Sequence, residues 1–177
     1  GCPMRRNNLI IPELLQDTRY LAHTRENDDG TKERETLLAH SELTLRYYEA
    51  FCKYKGIEKI VRRIIASCGF RGKEAETVYL LFLYAIYLHD VGKINPRYQY
   101  EVLKNEVFKT ECRQAKNSHH ALASAYIYID CMYKILLDNP GEGVKKCLAA
   151  FAYCISKHHG KLDNGHDYSA LENWDER

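Results

Sequence analysis

Apolar residues recur at helical spacing along most of the chain, and this pattern predicts an all-α fold. Helices are predicted over residues 36–54, 57–67, 73–89, 96–105, 119–138 and 142–159. Glycines at positions 56, 69 and 160 end three of these helices, and Pro96 can begin another. No stretch of any length alternates apolar and polar residues as a strand does. We therefore expect a compact helical bundle that forms a single domain over residues 1–177.

The third predicted helix contains the longest apolar run, YLLFLYAIYL, and is apolar on nearly every side. It is therefore predicted to be the buried central helix. The run falls well short of the ~20 residues that span a bilayer, and the start of the chain does not resemble a signal peptide. The polar stretch HTRENDDGTKERE is predicted to be a loop that turns at Asp29-Gly30. The segment from Lys161 onward is predicted to be a polar, irregular tail.

Composition excludes several protein classes. The net charge of +2 gives no strong basic field for nucleic acid, although it leaves room for a local basic patch. The chain contains no GxxxxGK[ST] loop of the kind that binds nucleotide phosphates. The seven cysteines are odd in number and include no CxxC pair. We interpret them as reduced, buried thiols of a cytoplasmic protein rather than as a disulfide framework or a zinc ribbon.

Histidines gather at predicted helix ends and on inward faces, beside one aspartate. His40 shares a helical line with Leu37, Tyr47 and Phe51. His89 and Asp90 end the central helix. His158 ends the apolar stripe of the last helix, and His159 lies beside it; the stripe consists of Val144, Leu148, Phe151 and Ile155. Either His119 or His120 could face inward at the start of the fifth helix, because both flanks of that helix are apolar. Leaving such rings buried without partners would cost about 1–3 kcal/mol each. Two arrangements would satisfy them: a hydrogen-bond network between helices, or a divalent metal such as Mn, Fe, Co, Ni or Zn.

The order of four motifs resembles the HD superfamily of metal-dependent phosphohydrolases. These motifs are TLLAHS around His40, LHDVGK at 88–93, SHHALAS at 118–124 and KHHGKL at 157–162. The continuation HDVGKINPRYQ and the HHG triplet are more narrowly similar to the HD nuclease domain of the CRISPR-associated type I nuclease-helicase. The resemblance extends from about Tyr20 to Leu162, and it implies an HD-type helical bundle.

The resemblance also implies residue roles. One divalent transition-metal ion would be held by His40, His89 and Asp90, and Asp90 would bridge to a second ion held by His120, His158 and His159. The implied metals are Mn, Ni, Co or Fe. His120 is preferred over His119 because the family's serine, here Ser124, follows its histidine by four positions. Lys93 would contact the scissile phosphate or position a water; the alternative is a solvated lysine at a helix end. His23 is interpreted as a loop or outer-sphere residue, and His166 as solvated.

The implied function is a metal-dependent endonuclease that cleaves single-stranded DNA in CRISPR interference. It would work with a helicase on the same or another chain, recruited by the guide-RNA surveillance complex, and without a membrane partner. Basic residues around the motifs could follow the DNA backbone, and two tyrosines could stack on bases. These residues are Arg97, Lys104, Lys116, Lys157, Lys161, Tyr98 and Tyr100.

Two alternative functions stay open at this point. One is an HD phosphohydrolase acting on nucleotides or cyclic dinucleotides, which the HHG pair and the INPRYQ continuation disfavour. The other is a degenerate, non-catalytic metal-binding HD module. The family completes its site with an aspartate on a helix well after HHG, and neither Asp163 nor Asp167 lies in a matching context.

Overall fold

The computed structural model describes residues 12–138 and 141–159, and these residues form the predicted helical fold. Within them lie five α-helices: Leu37–Lys55 (α1), Ile57–Ser67 (α2), Gly72–Leu88 (α3), Ala121–Asp138 (α4) and Glu142–Lys157 (α5). Each begins and ends within two residues of its predicted bounds. None of the helices in this part of the chain is long and apolar enough to cross a membrane. The predictions for the first 11 residues and for Lys161, Asp163, His166 and Asp167 lie outside the described residues.

Helix α3 is the centre of the bundle, as its apolar pattern predicts. Eight of its residues are buried, and it packs against α1, α2, α4 and α5. Helix α1 begins at a Thr36 cap, whose hydroxyl accepts a hydrogen bond from Ala39 N–H, and ends at Gly56 in the left-handed conformation. Because α3 is covered on several sides, the residues at its C-terminal end, His89 and Asp90, lie between the surrounding helices.

The prediction of a loop before α1 is wrong, because most of that stretch forms a β-hairpin. Strand β1, Leu21–Glu26, pairs antiparallel with strand β2, Lys32–Thr36, and the predicted turn lies between them with Gly30 at a φ of +80°. The sequence shows no alternation here because only Leu21 and Ala22 of the hairpin are buried. The hairpin is held by tertiary contacts instead; one is the hydrogen bond from Thr24 Oγ1 to Leu103 C=O.

The connection from α3 to α4 contains only short helical segments. They are the 3₁₀ turns Val91–Ile94, Glu106–Phe108 and Glu111–Gln114, and the π-helical segment Tyr98–Val102. The Asn95 side chain accepts hydrogen bonds from the Arg97 and Tyr98 N–H groups and so begins the predicted short helix. That helix ends earlier than the predicted residue 105, since Lys104 adopts a left-handed φ of 55°.

Two burial predictions need correction. The buried line of α1 consists of Leu37, Ser41, Leu45 and Tyr48, whereas Tyr47 and Phe51, predicted to point inward with His40, are exposed. The described cysteines form no disulfide, but only Cys112 among them is buried and Cys68 and Cys154 are exposed. The predicted inward face of α1 is therefore wrong by about one position, since Tyr48 rather than Tyr47 is buried.

Candidate metal centre

The centre of the candidate site is Asp90, which lies directly after α3 and is only 3% exposed. Its Oδ2 atom faces Lys93 Nζ at 2.9 Å, His40 Nε2 at 3.1 Å and His89 Nε2 at 3.4 Å. Its Oδ1 atom faces three other histidines through their Nε2 atoms: His158 at 3.0 Å, His120 at 3.4 Å and His159 at 3.7 Å. The two oxygens of the carboxylate therefore face different groups of side chains, Oδ2 toward α1 and Oδ1 toward α4 and α5.

Three of these imidazoles are oriented by a hydrogen bond at their other nitrogen. His89 Nδ1 lies 2.9 Å from Ile86 C=O, and His158 Nδ1 lies 2.5 Å from Ile155 C=O. His40 Nδ1 lies 3.2 Å from the Glu35 carboxylate. A carbonyl or ionised carboxylate oxygen can only accept, so each Nδ1 carries a proton. In the neutral ring this leaves a lone pair on Nε2, directed at Asp90.

The ionisation of Asp90 reflects this environment. Burial alone would raise its pKa, but the contacts with His120, His158 and His40 hold the pKa of this carboxyl well below its ordinary value. Burial lowers the pKa of His89, so this ring tends to be neutral. Burial is the largest single influence on His158 and lowers its pKa, but the hydrogen bonds to Asp90 and Ile155 C=O and the charge of Asp90 together raise the pKa above its ordinary value. The cluster thus contains an ionised carboxylate and at least one neutral imidazole.

The nitrogen and oxygen atoms around Asp90 are suitable ligands for a divalent transition metal. Neutral Nε2 lone pairs and a carboxylate are all acceptors, and acceptors placed about 3 Å apart repel unless a proton or a cation lies between them. The Nε2 atoms of His40 and His120 are buried, and neither makes a hydrogen bond of acceptable geometry despite its closeness to Asp90. Imidazole nitrogens with one carboxylate are ligands that first-row transition metals prefer.

Two sets of ligand atoms are close enough for a cation. Asp90, His120, His158 and His159 form one set, and His23, His40 and Asp90 form the other; within each set the atoms lie within 4.8 Å of one another. Asp90 belongs to both. His89 approaches Asp90 but belongs to neither set, and the exposed His119 lies outside both.

Lys93 is buried rather than solvated, which removes the alternative of a surface lysine. It is 2% exposed, and its Nζ atom donates to Ala22 C=O at 3.1 Å besides pairing with Asp90. The backbone of Gly92, the preceding residue, donates to Ser124 Oγ at 2.8 Å. A Cβ atom at Gly92 would lie 2.0 Å from His120 C=O, so only glycine allows this close approach to α4.

Two residues at the site were missed or misassigned from the sequence. His23 lies in strand β1 rather than in a loop, and its ring meets that of His40 edge-on at 4.8 Å. Glu35, which holds His40 through Nδ1, has no predicted role in the sequence. Its signal is weak in the sequence, because Glu35 is one of several charged residues in KERET and only the hairpin brings it to the histidine.

The residues predicted to contact DNA differ in their surroundings. Lys104 and Lys116 are exposed. The Arg97 guanidinium instead lies against the Cys112 and Lys116 carbonyl groups, at 3.5 and 3.3 Å, and so ties the connection together. The Tyr98 ring packs against His120 with centroids 4.5 Å apart.

A comparison with protein families shows the family to which the chain belongs. The family model described as "Cas3, HD domain" matches residues 22–177, which is most of the chain. The chain belongs to the Cas3 HD family. Separate searches of curated proteins and of solved structures found no match. Membership in the Cas3 HD family identifies the chain as a metal-dependent HD phosphohydrolase or nuclease associated with CRISPR systems.

The matched range contains every histidine of the cluster as well as Asp90 and Lys93. HD domains bind divalent metals, and the two ligand sets around Asp90 are where this Cas3 HD domain could hold them. The family match and the unpartnered Nε2 atoms of His40 and His120 both indicate a metal beside Asp90.

Proposed function

We propose that this Cas3 HD domain is an endonuclease that hydrolyses phosphodiester bonds of single-stranded DNA in CRISPR interference. The observation that carries the proposal is the position of Asp90, whose two oxygens face separate groups of imidazoles. In this proposal His40, His89 and Asp90 hold one divalent ion, and Asp90, His120, His158 and His159 hold the other. Mn, Ni, Co and Fe suit these ligands, and we propose two ions.

Divalent ions in such a site supply Lewis acidity toward a phosphate and assist the attack of water. The contribution of the chain is to position the ligands. The peptide carbonyls of Ile86 and Ile155 and the carboxylate of Glu35 orient three rings, while Lys93 neutralises part of the charge of Asp90. Because imidazoles bring no negative charge, the site retains its attraction for an anionic substrate.

The surroundings of the cluster suit a polymer better than a single nucleotide. Among the described residues, a groove lined by Asn95, Asn117 and Ser118 adjoins His120 and His159. A second groove contains His23 and is lined by two basic and two acidic residues, Arg25, Arg34, Glu33 and Glu35. A strand crossing the site could occupy both. We propose that the exposed Lys104 and Lys116 attract its backbone, that Tyr98 and Tyr100 stack on bases, and that a cytoplasmic helicase recruited by a guide-RNA complex delivers it.

The test is the cleavage of circular single-stranded DNA by the full chain with Mn²⁺ or Ni²⁺, with EDTA as the metal-free control. Asp90→Ala should abolish nicking, whereas Asp130→Ala, which removes an exposed carboxylate from α4, should not. Mononucleotides and cyclic dinucleotides are assayed in parallel. Hydrolysis of these small substrates without DNA nicking would replace the proposal with the phosphohydrolase alternative. Metal binding without any hydrolysis would favour a non-catalytic module.

A further inference from the structure

We propose that His23 is an additional metal ligand, acting with His40 and Asp90 on the ion at the Oδ2 side of the cluster. The inference rests on the proposed function, because it assigns another residue to the same metal centre. Ligand atoms of these three residues lie within 4.8 Å of one another. A first-row ion binds nitrogen and oxygen ligands at about 2.0–2.2 Å, and we expect rotation of the exposed His23 side chain to bring its ring to that distance.

The backbone on both sides of His23 is fixed by long-range contacts. The Gln99 amide makes two hydrogen bonds with Leu21, accepting from its N–H at 3.0 Å and donating to its C=O at 2.7 Å. Lys93 Nζ donates to Ala22 C=O, and Thr24 Oγ1 donates to Leu103 C=O. His23 therefore projects from an anchored strand, although its ring is exposed.

The strand is also irregular at this point. The pairing of β1 with β2 shifts register between Leu21 and His23, so that His23 faces Glu35 while Leu21 faces Thr36. Such bulges redirect a side chain and are common beside active sites. Here the bulge places His23 beside His40, on the wall formed by the hairpin.

Among the residues that the structure describes, the Oδ2 side otherwise has few metal ligands. His40 is within reach of a shared ion, but His89 belongs to neither close set of ligand atoms, and Lys93 cannot bind a metal while it is protonated. The Oδ1 side has three histidines within 3.7 Å. His23 gives the Oδ2 side a second imidazole in the close set and makes the two ion positions more nearly equivalent.

The experiment is a titration of the chelator-stripped full chain with Mn²⁺ or Ni²⁺ by calorimetry, with bound metal counted by mass spectrometry. His23→Ala should weaken the binding of one ion by more than the roughly 10- to 100-fold that loss of an outer-sphere partner costs, as His40→Ala should for the same ion. His119→Ala is the matched control, because it removes an exposed imidazole that belongs to neither ligand set, and it should leave both ions bound. Since His23 is exposed, circular dichroism should show both variants folded.

One result would overturn the inference: a His23→Ala protein that binds both ions as tightly as the unaltered chain. A raised KM for DNA in that protein would make His23 a substrate contact instead. The titration is separate from the nuclease assay, so a chain that binds metal but cleaves no DNA would refute the proposed function while the role of His23 is still decided by metal affinity.

Discussion

The side-chain amide of Gln99 and the backbone of Leu21 hydrogen-bond to each other in both directions, as neighbouring strands do. Gln99 is fully buried and also donates to Lys93 C=O and accepts from Asn105 Nδ2. One residue thus joins the hairpin to the segment that follows the His-Asp pair. This explains physically why the glutamine of INPRYQ accompanies the metal motif.

Gln99→Ala should destabilise the protein substantially. The change would leave several buried partners without hydrogen bonds, and we expect a loss of about 2–4 kcal/mol in the free energy of unfolding. Urea denaturation measures this directly. Gln114→Ala, at an exposed position, is the control and should change stability by no more than about 0.5 kcal/mol. Equal stability of the two variants would contradict the bridging role of Gln99.

Gly92→Ala should disrupt the packing of the His-Asp segment on α4. The new Cβ would lie 2.0 Å from His120 C=O and 2.5 Å from Ser124 N, and backbone atoms cannot move aside as a side chain can. We expect a loss of at least about 3 kcal/mol in thermal or urea unfolding, together with weaker metal binding.

Gly143→Ala is the matched control for this substitution. Its Cβ would meet only the Phe70 ring, at 3.0 Å, and the ring can shift. Alanine is also favoured over glycine within a helix, so stability should change by less than about 1 kcal/mol. The prediction for Gly92 fails if both alanine variants unfold at the same denaturant concentration.

Lys93→Met separates a structural role of this lysine from a substrate contact. The substitution keeps a long side chain but removes the buried charge beside Asp90, and we expect a loss of about 3–5 kcal/mol of stability. Lys116→Met at an exposed position should change stability little. Unaltered stability of Lys93→Met with a raised KM for DNA would show that Lys93 acts on the phosphate instead.

Glu35→Ala should loosen the metal centre without unfolding the chain. Glu35 holds His40 through Nδ1, and loss of such an outer-sphere partner typically weakens metal affinity by roughly 10- to 100-fold. Glu35→Gln retains an accepting oxygen and should have a smaller effect. Glu33→Ala removes an exposed carboxylate from the same strand and is the control. Calorimetric titration with Mn²⁺ compares the three variants, and equal affinities in all of them would exclude the proposed orientation of His40.

The sequence by itself determined the helices and the order of the metal motifs. Helical boundaries depend on local features, such as the Thr36 cap, the left-handed Gly56 and the apolar run of α3, and these act through neighbouring residues. The sequence also placed the His-Asp pair at the end of a buried helix, because the residues of α3 are apolar on nearly every side of that helix.

Only the tertiary structure decided the contacts that the hairpin makes with this cluster and the burial of Lys93. The β-hairpin has few buried apolar residues and is stabilised by Gln99 and Lys93, which are distant in sequence, so no local pattern predicts it. The positions of His23 and Glu35 follow from that hairpin. The burial of Lys93 likewise depends on Ala22 and Asp90 being brought together, since a lysine is buried only where folding supplies both an acceptor and a counter-charge.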